Sequence, residues 1–236
     1  LCILMTIIII FYNYKLKFFP FLGIFSLSVI RFLNVLLGFS IISFSYDIIQ
    51  YAIPIAIFVG GRRMTFEKIL PVLTVMGRKV LYTGELGSAS VLKVITNYLA
   101  SVHLAALGEA WTVAKKSNLN LAKTYNGIAV SSGNSFVHET ESQVILNGSY
   151  NINFTMDLVE KDMTLFNDLA AKLNAPLEIS PLVLDIFKDG RKKYGSRAWS
   201  SMIVKRMEDL NKINFRAKGF PAELKDTEPE EKGYEI

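Results

Sequence analysis

The sequence predicts a mainly α-helical domain over residues 55–211 that begins with a short β-α-β unit. Two short apolar runs, one ending at Gly60 and one starting at Lys79, flank a single helical segment, and helical patterns then continue to residue 211. Short apolar runs next to glycines are typical of buried strands, whereas apolar residues at helical spacing indicate α-helices. Residues 1–54 and 212–236 differ from this segment in composition.

The elements of the 55–211 segment follow in order along the chain. Residues 55–59 are predicted to form a strand that ends at Gly60, and Thr65 is expected to cap a helix that stops at Gly77. A second strand is predicted over KVLYTG. The next helix is apolar on most faces, which places it in the middle of a helical domain. The predicted helices cover residues 88–116, 120–130, 134–146, 157–174 and 180–194, with a last one near 199–211.

The block over residues 1–54 is rich in Ile, Phe and Leu and carries very few charges. Neither of its apolar runs reaches the roughly 20 residues that span a bilayer, but runs joined across Arg31 or past Asp47 reach that length. One interpretation is therefore a membrane segment. The other is that the block is a gene-model artefact, an incorrectly joined front end of a fragment, since the chain starts with Leu1.

The charge distribution restricts the classes of ligand. The chain has a formal net charge of +5, but residues 223–236 are acidic, so the segment before this tail is distinctly basic. A basic body suits an anionic small molecule or a phosphate-bearing cofactor, and no basic and aromatic constellation of a nucleic-acid module is present. The single Cys2 and the two histidines predict no metal site. Residues 212–236 form a C-terminal tail, and its acidic end, EPEEKGYEI, is expected to be mobile or docked.

A lysine stands on the apolar helix predicted over 88–116. Lys93 lies between Leu92 and Val94, and Asn97 follows one helical turn later on the same face. One interpretation is a lysine that extends past small residues to water. The other is a lysine that transfers a proton, next to an amide that holds a substrate hydroxyl or carboxylate. The pattern by itself leaves both open.

The residues around this lysine resemble a dehydrogenase signature. The run Gly84-x-x-Gly87-x-Ala89-x-x-x-Lys93-x-x-x-Asn97 is similar to the G-x-x-G-x-G-x-x-x-K-x-x-N-N segment of the β-hydroxyacid dehydrogenases, the 3-hydroxyisobutyrate dehydrogenase-like family. Ala89 replaces the third glycine, and a threonine replaces the first asparagine. The resemblance implies that Lys93 and Asn97 are the catalytic pair.

The resemblance extends over residues 55–211. The run NGIAVSSGNSF matches the family's serine-glycine turn, which implies that Ser132 and Gly133 bind the substrate acid. The run NFTMDLVEKDM resembles the family's Phe-x6-Lys-Asp segment. It implies that Phe154, Lys161 and Asp162 lie at the nicotinamide side of the cleft, with Lys161 contacting the cofactor.

The implied fold is the helical domain of the 6-phosphogluconate dehydrogenase C-terminal type, and the implied cofactor is NAD or NADP. The family's Rossmann domain carries a G-x-G-x-x-G phosphate loop, and that pattern is absent from the printed sequence. We therefore expect the C-terminal half of an NAD(P)-dependent oxidoreductase that acts on a small hydroxyacid and is inactive alone.

The remaining expectations concern partners and location. The resemblance implies a homo-oligomer formed through the helical domain, in the cytoplasm or the mitochondrion, without nucleic acid. The alternative is a non-catalytic helical module derived from that domain and anchored in a membrane through residues 1–54.

Overall fold

The computed structural model describes residues 56–224 and 232–236. The described residues divide into two compact units, one of residues 56–93 and 232–236 and one of residues 94–224. The block over residues 1–54, with its open prediction of a membrane segment, lies outside the described residues. We refer to the two units as the sheet unit and the helical unit.

The sheet unit contains the predicted β-α-β start. Strand β1 spans Ala56–Gly60, helix α1 spans Arg63–Met76, and strand β2 spans Lys79–Gly84. Strand β2 pairs in parallel with β1 on one side and with the short C-terminal strand β3, Tyr234–Glu235, on the other. The tail was expected to be mobile or docked, and its last five residues are docked. The buried side chains of this unit's core are Ile57, Phe66 and Val80.

The prediction that Thr65 caps α1 is wrong. The helix begins at Arg63, and the carbonyl of Arg62 accepts the N–H groups of Thr65 and Phe66 at 2.9 and 3.1 Å. The physical reason lies in the preceding turn, where the Tyr82 hydroxyl donates to the carbonyl of Gly61 at 2.6 Å. The chain is therefore turned into the helix before it reaches Thr65. The predicted stop at Gly77 is confirmed, because its N–H donates to the Leu73 carbonyl at 3.0 Å.

Helices follow with bounds close to those predicted. The last predicted helix, near 199–211, is divided into a 3-10 helix over Ser200–Ile203 and helix α7 over Lys205–Asn211. The other helices are α2 Ser88–Lys116, α3 Leu121–Ala129, α4 Phe136–Asn147, α5 Met156–Lys172 and α6 Ile179–Tyr194. The predicted class, mainly α with a short β-α-β start, is confirmed.

The core of the helical unit is large and contains a buried polar network around Trp111. Trp111, Phe187 and Phe215 are fully buried in it. The indole of Trp111 donates to Ser142 at 3.3 Å, Ser142 is 3.1 Å from Nδ1 of His138, and Nε2 of His138 is 2.9 Å from the Tyr125 carbonyl. The polar atoms of these buried rings therefore have partners, as stable burial requires.

The buried carboxylate of Glu208 holds the segment after α7 through hydrogen bonds to Phe215 and Arg216. Glu208 is 3% exposed and accepts hydrogen bonds from the Tyr150 hydroxyl, from the backbone N–H of Phe215 at 2.6 Å and from Arg216 at 2.8 Å. Burial, and next the hydrogen bond to Glu208, raise the pKa of Tyr150 above its ordinary value. The paired charge is compatible with burial because it is fully hydrogen-bonded.

Candidate functional site

Helix α2 carries the lysine and the asparagine of the signature one turn apart. Both side chains are half-buried. The helix continues for five more turns, roughly, beyond Asn97. The Asn97 backbone carbonyl accepts a hydrogen bond from Ser101 at 2.8 Å, so this part of the helix is locally reinforced.

Asn97 is held from the neighbouring helix by a buried carboxylate. Its side-chain amide nitrogen donates to Oδ2 of Asp162 on α5. Asp162 is 2% exposed, and its other oxygen lies 3.1 Å from the ammonium of Lys161, whose side chain is 53% exposed. A buried carboxylate needs such partners to remain charged. Asp162 therefore fixes which end of the Asn97 amide faces α5.

An aromatic stack lies beside this contact. Tyr98, the residue after Asn97, stacks on Phe166, which follows Asp162 by one helical turn, with ring centroids 4.1 Å apart and planes 4° from parallel. Sequence reasoning did not single out these two rings. Asp162 and Phe166 are four residues apart and lie on one face of α5, whereas Asn97 and Tyr98 are consecutive on α2, so no spacing in the sequence pairs the two rings. The two contacts together fix α2 against α5 at Asn97.

Lys161 also borders an open groove between α5 and α6. The groove has a volume of about 310 Å³ and is lined by Asp157, Glu160, Lys161, Thr164, Leu165 and Arg191. Arg191 pairs with Glu160 at 3.0 Å, and Arg197 lies 3.5 Å from Asp157. Hydrogen bonding from Thr155, ahead of the attraction of Arg197, lowers the pKa of Asp157. The groove carries as many acidic as basic groups and is not a strongly basic anion pocket.

The other residues indicated by the sequence lie at separate places on the helical unit. Ser132 and Gly133 form an exposed turn between α3 and α4, and the Gly133 N–H donates to the Ser131 hydroxyl at 3.2 Å. Phe154 packs against the main core and accepts the Ser200 N–H on its carbonyl at 2.7 Å. The structure thus brings Asn97, Asp162 and Lys161 together and places the turn and the phenylalanine on other elements.

Residues 87–207 match the family model described as NAD-binding of NADP-dependent 3-hydroxyisobutyrate dehydrogenase. The matched stretch includes α2, Asn97, Asp162 and the serine-glycine turn. The chain belongs to this family. The sequence-based recognition is confirmed, and so is the fold type that it implied.

Similar proteins agree with the family model. The chain is 30% identical to 2-(hydroxymethyl)glutarate dehydrogenase of Eubacterium barkeri over 68% of its own length and 54% of the relative's. It is 31% identical to L-threonate dehydrogenase of Haemophilus influenzae over 61% of its length and 48% of the relative's. A solved 3-hydroxyisobutyrate dehydrogenase from Salmonella typhimurium superposes with a TM-score of 0.58 at 28% identity, covering 63% of this chain and 52% of that one. The chain spans about half the length of the curated relatives that it matches.

The family indicates the class of cofactor, and it gives no information about a membrane segment. Its description names NAD binding and NADP dependence, so the predicted nicotinamide cofactor class is confirmed for the 3-hydroxyisobutyrate dehydrogenase family. Within the described ranges, α2 is long and apolar enough to cross a membrane by length and composition, a test that core helices also pass. Among the same residues no group of three His, Cys, Asp or Glu is placed to hold a metal ion.

Proposed function

We propose that this chain supplies the helical, substrate-binding part of an NAD(P)-dependent β-hydroxyacid dehydrogenase. The observation that carries the proposal is the contact of the half-buried Asn97 with the buried carboxylate of Asp162, one helical turn from Lys93 in a matched family signature. A buried carboxylate costs desolvation free energy, and its place one helical turn from the lysine of a matched signature favours a functional role over a purely structural one.

Lys93 is proposed as the group that moves the hydroxyl proton. When bound, the nicotinamide cofactor would supply the acceptor for the hydride that the substrate carbon loses in the oxidative direction. The hydroxyl proton passes to the side-chain nitrogen of Lys93, and a carbonyl forms. In the reductive direction the same ammonium returns the proton. A positioned acid–base group of this kind typically contributes about 10²–10⁴-fold to the rate.

Asn97 is proposed to orient the substrate hydroxyl. Its amide nitrogen already donates to Asp162, which leaves the amide carbonyl oxygen as the group suited to accept a hydrogen bond from that hydroxyl. Asp162 acts through Asn97 as a positioning residue. This differs from the cofactor contact that the resemblance implied for Asp162, and it is the role that its contacts with Asn97 and Lys161 support.

The other residues are proposed in supporting roles. In the exposed Ser132–Gly133 turn, the Ser132 hydroxyl is proposed to bind the substrate carboxylate. Lys161, half-exposed at the groove, and Phe154 are proposed to contact the nicotinamide end of the cofactor. Because the groove beside Lys161 has balanced charge, the pyrophosphate is expected to bind a glycine-rich turn outside the matched segment.

The proposal also covers the substrate class, the oligomeric state and the location of the protein. The substrate is a small hydroxyacid, the class named in the relatives that the chain resembles. We propose a homo-oligomer formed through the helical unit, in the cytoplasm or the mitochondrion.

The test joins residues 56–236 behind a glycine-rich dinucleotide-binding domain taken from a hydroxyacid dehydrogenase. We expect hydroxyacid-dependent reduction of NAD or NADP, and a loss of kcat of about 10²–10⁴-fold in Lys93→Ala. Lys93→Arg should not restore the rate, because a guanidinium does not release its proton near neutral pH. Lys116→Ala, an exposed lysine on the same helix, is the matched control. Turnover of Lys93→Ala within a few-fold of the parent would remove Lys93 from the mechanism.

A second test asks whether the segment binds the dinucleotide unaided. We expect calorimetry of residues 56–236 with NADH or NADPH to show only weak binding that fades with salt, since screened charge attraction gives no fixed geometry. Salt-resistant, stoichiometric binding at micromolar affinity would place the whole cofactor site within this segment. Absence of turnover in the fused enzyme, together with membrane retention of the full chain, would favour the non-catalytic alternative.

A further inference from the structure

The C-terminal strand is joined to the sheet unit by a ladder of backbone hydrogen bonds. The N–H of Gly233 donates to the Thr74 carbonyl at 2.9 Å, that of Tyr234 to the Arg78 carbonyl at 3.0 Å, and that of Ile236 to the Val80 carbonyl at 3.0 Å. Strand β3 thereby extends the β1–β2 pair at the edge of β2. Strand addition of this kind gives affinity through the main chain, whereas side-chain sites give specificity.

The first specificity element is a cradle that admits only glycine. A Cβ atom on Gly233 would lie 1.9 Å from the Gly77 carbonyl oxygen and 2.9 Å from that of Thr74. Both atoms belong to the backbone at the end of α1 and cannot move aside as a flexible side chain would. Gly233 is buried there. The close approach of two backbones, rather than an unusual dihedral angle, requires glycine at this position.

The second specificity element is Arg63, which binds the carboxylate of Glu235. The guanidinium of Arg63 contacts both carboxylate oxygens of Glu235, at 2.5 and 3.1 Å, in a two-point arrangement. Arg63 is held in place by Glu67 at 2.9 Å and lies over the rings of Phe66 and Tyr82, 5.1 and 5.2 Å from their centroids. An oriented guanidinium is suited to bidentate recognition of a carboxylate.

We propose that the edge of β2 is a recognition site for the chain's own C-terminus, selective for glycine at 233 and a carboxylate at 235, and that docking in cis prevents this edge from pairing with a second copy. An uncovered strand edge presents unpaired N–H and C=O groups and is a template for association with another chain. Strand β3 is short and pairs with β2 at only two residue positions, so its docking on the edge of β2 is reversible. The inference is independent of the dehydrogenase reaction.

The experiment measures hydrogen exchange of the Tyr234 and Ile236 amides in the full chain, together with its sedimentation. Gly233→Ala should remove the protection of both amides and raise the association state, whereas Lys232→Ala, one residue before the cradle, should behave like the parent. Arg63→Gln and Glu235→Gln should each accelerate exchange by roughly three- to tenfold, as expected for loss of a bidentate but exposed ion pair. Arg62→Gln is the matched control on the preceding residue.

The charge swap distinguishes recognition from general stability. Combining Arg63→Glu with Glu235→Arg should restore much of the protection that either change removes alone. Unchanged protection in Gly233→Ala, or a Gly233→Ala variant that sediments like the parent, would overturn the proposal. Protection that rises with protein concentration would show that the strand comes from a second copy, which contradicts docking in cis.

Discussion

The sheet unit and the helical unit are stabilised in different ways. The buried core of the described sheet unit consists of Ile57, Phe66 and Val80, with a few half-buried neighbours. The helical unit buries a continuous cluster of 18 side chains. A small core provides little free energy of folding, so the sheet unit depends on its strand ladder and on single side chains. The helical unit depends on packing that is distributed over many residues.

The two units also differ in their polar contacts, which are exposed in the sheet unit and buried in the helical unit. In the sheet unit the ion pair of Arg63 with Glu235 lies at the surface, with the Arg63 side chain 47% exposed. In the helical unit the polar groups of Glu208, His138 and Asp162 are almost fully buried. Loss of one partner costs little at an exposed pair and several kcal/mol at a buried one, roughly 3–5. Polar substitutions should therefore be tolerated in the first unit and damaging in the second.

The largest expected effect is in the sheet unit. Phe66→Ala removes the one aromatic side chain of a three-residue core, and such changes cost about 3–5 kcal/mol. We expect the Val80 amide to lose its protection from hydrogen exchange. Val72→Ala, at an exposed site on the same helix, should leave it unchanged. Full protection of Val80 in Phe66→Ala would mean that the small core does not hold this unit.

The next effect concerns the distributed core. Trp111→Ala empties a fully buried site and removes the donor to Ser142. We expect the free energy of unfolding of the helical unit to fall by about 3–4 kcal/mol, measured by urea denaturation followed by circular dichroism. Val113→Ala, 66% exposed on the same helix, should change it by less than about 0.5 kcal/mol. Equal losses in both variants would contradict the buried position of Trp111.

Two glycines of the helical unit are expected to respond in opposite directions to the same change. A Cβ on Gly190 would lie 2.5 Å from Cδ1 of Ile203, whereas one on Gly127 would have no neighbour within 4 Å. Gly190→Ala should therefore destabilise by about 1–2 kcal/mol, and Gly127→Ala should stabilise by about 0.5–1 kcal/mol. Thermal unfolding of the two variants tests this. A rise in the free energy of unfolding in both variants would show that packing at Gly190 is loose.

The last expected effect depends on pH. Burial raises the pKa of Glu141 from its ordinary 4.5 to about 8, and none of the described residues gives its Oε2 a hydrogen bond. The folded state keeps a proton that the unfolded state has lost, so stability falls as pH rises from about 4.5 to about 8.

Replacement of this carboxyl by an amide tests the sign. Glu141→Gln should be more stable than the parent near pH 8, with the difference shrinking as pH falls and vanishing toward about pH 4, because the amide carries no charge to bury. Glu109→Gln, at an exposed position on α2, is the control and should show no such trend. A difference between Glu141→Gln and the parent that does not change with pH would contradict the titration of this group.

Much of the candidate site was predictable from local sequence. Lys93 and Asn97 are four residues apart in one helical pattern, and the glycine-rich start and the Lys161–Asp162 pair follow in the family's order. Local spacing is enough here because helix geometry places residues i and i+4 on one face. The stack of Tyr98 on Phe166 was not predictable, since each ring alone has the pattern of an ordinary core residue.

The sequence by itself determined the β-α-β start, the order of the helices, their approximate bounds and the family. These depend on short-range patterns of apolar residues, glycines and signature motifs, which are written along the chain. Only the tertiary structure decided that Asp162 holds Asn97, that the helix begins before Thr65, and that the last five residues close the edge of β2. The physical reason is the same in each case. Gly233 contacts the end of α1, and Asp162 contacts Asn97 on α2. In each case the partners are far apart in the sequence, so no local preference specifies the contact.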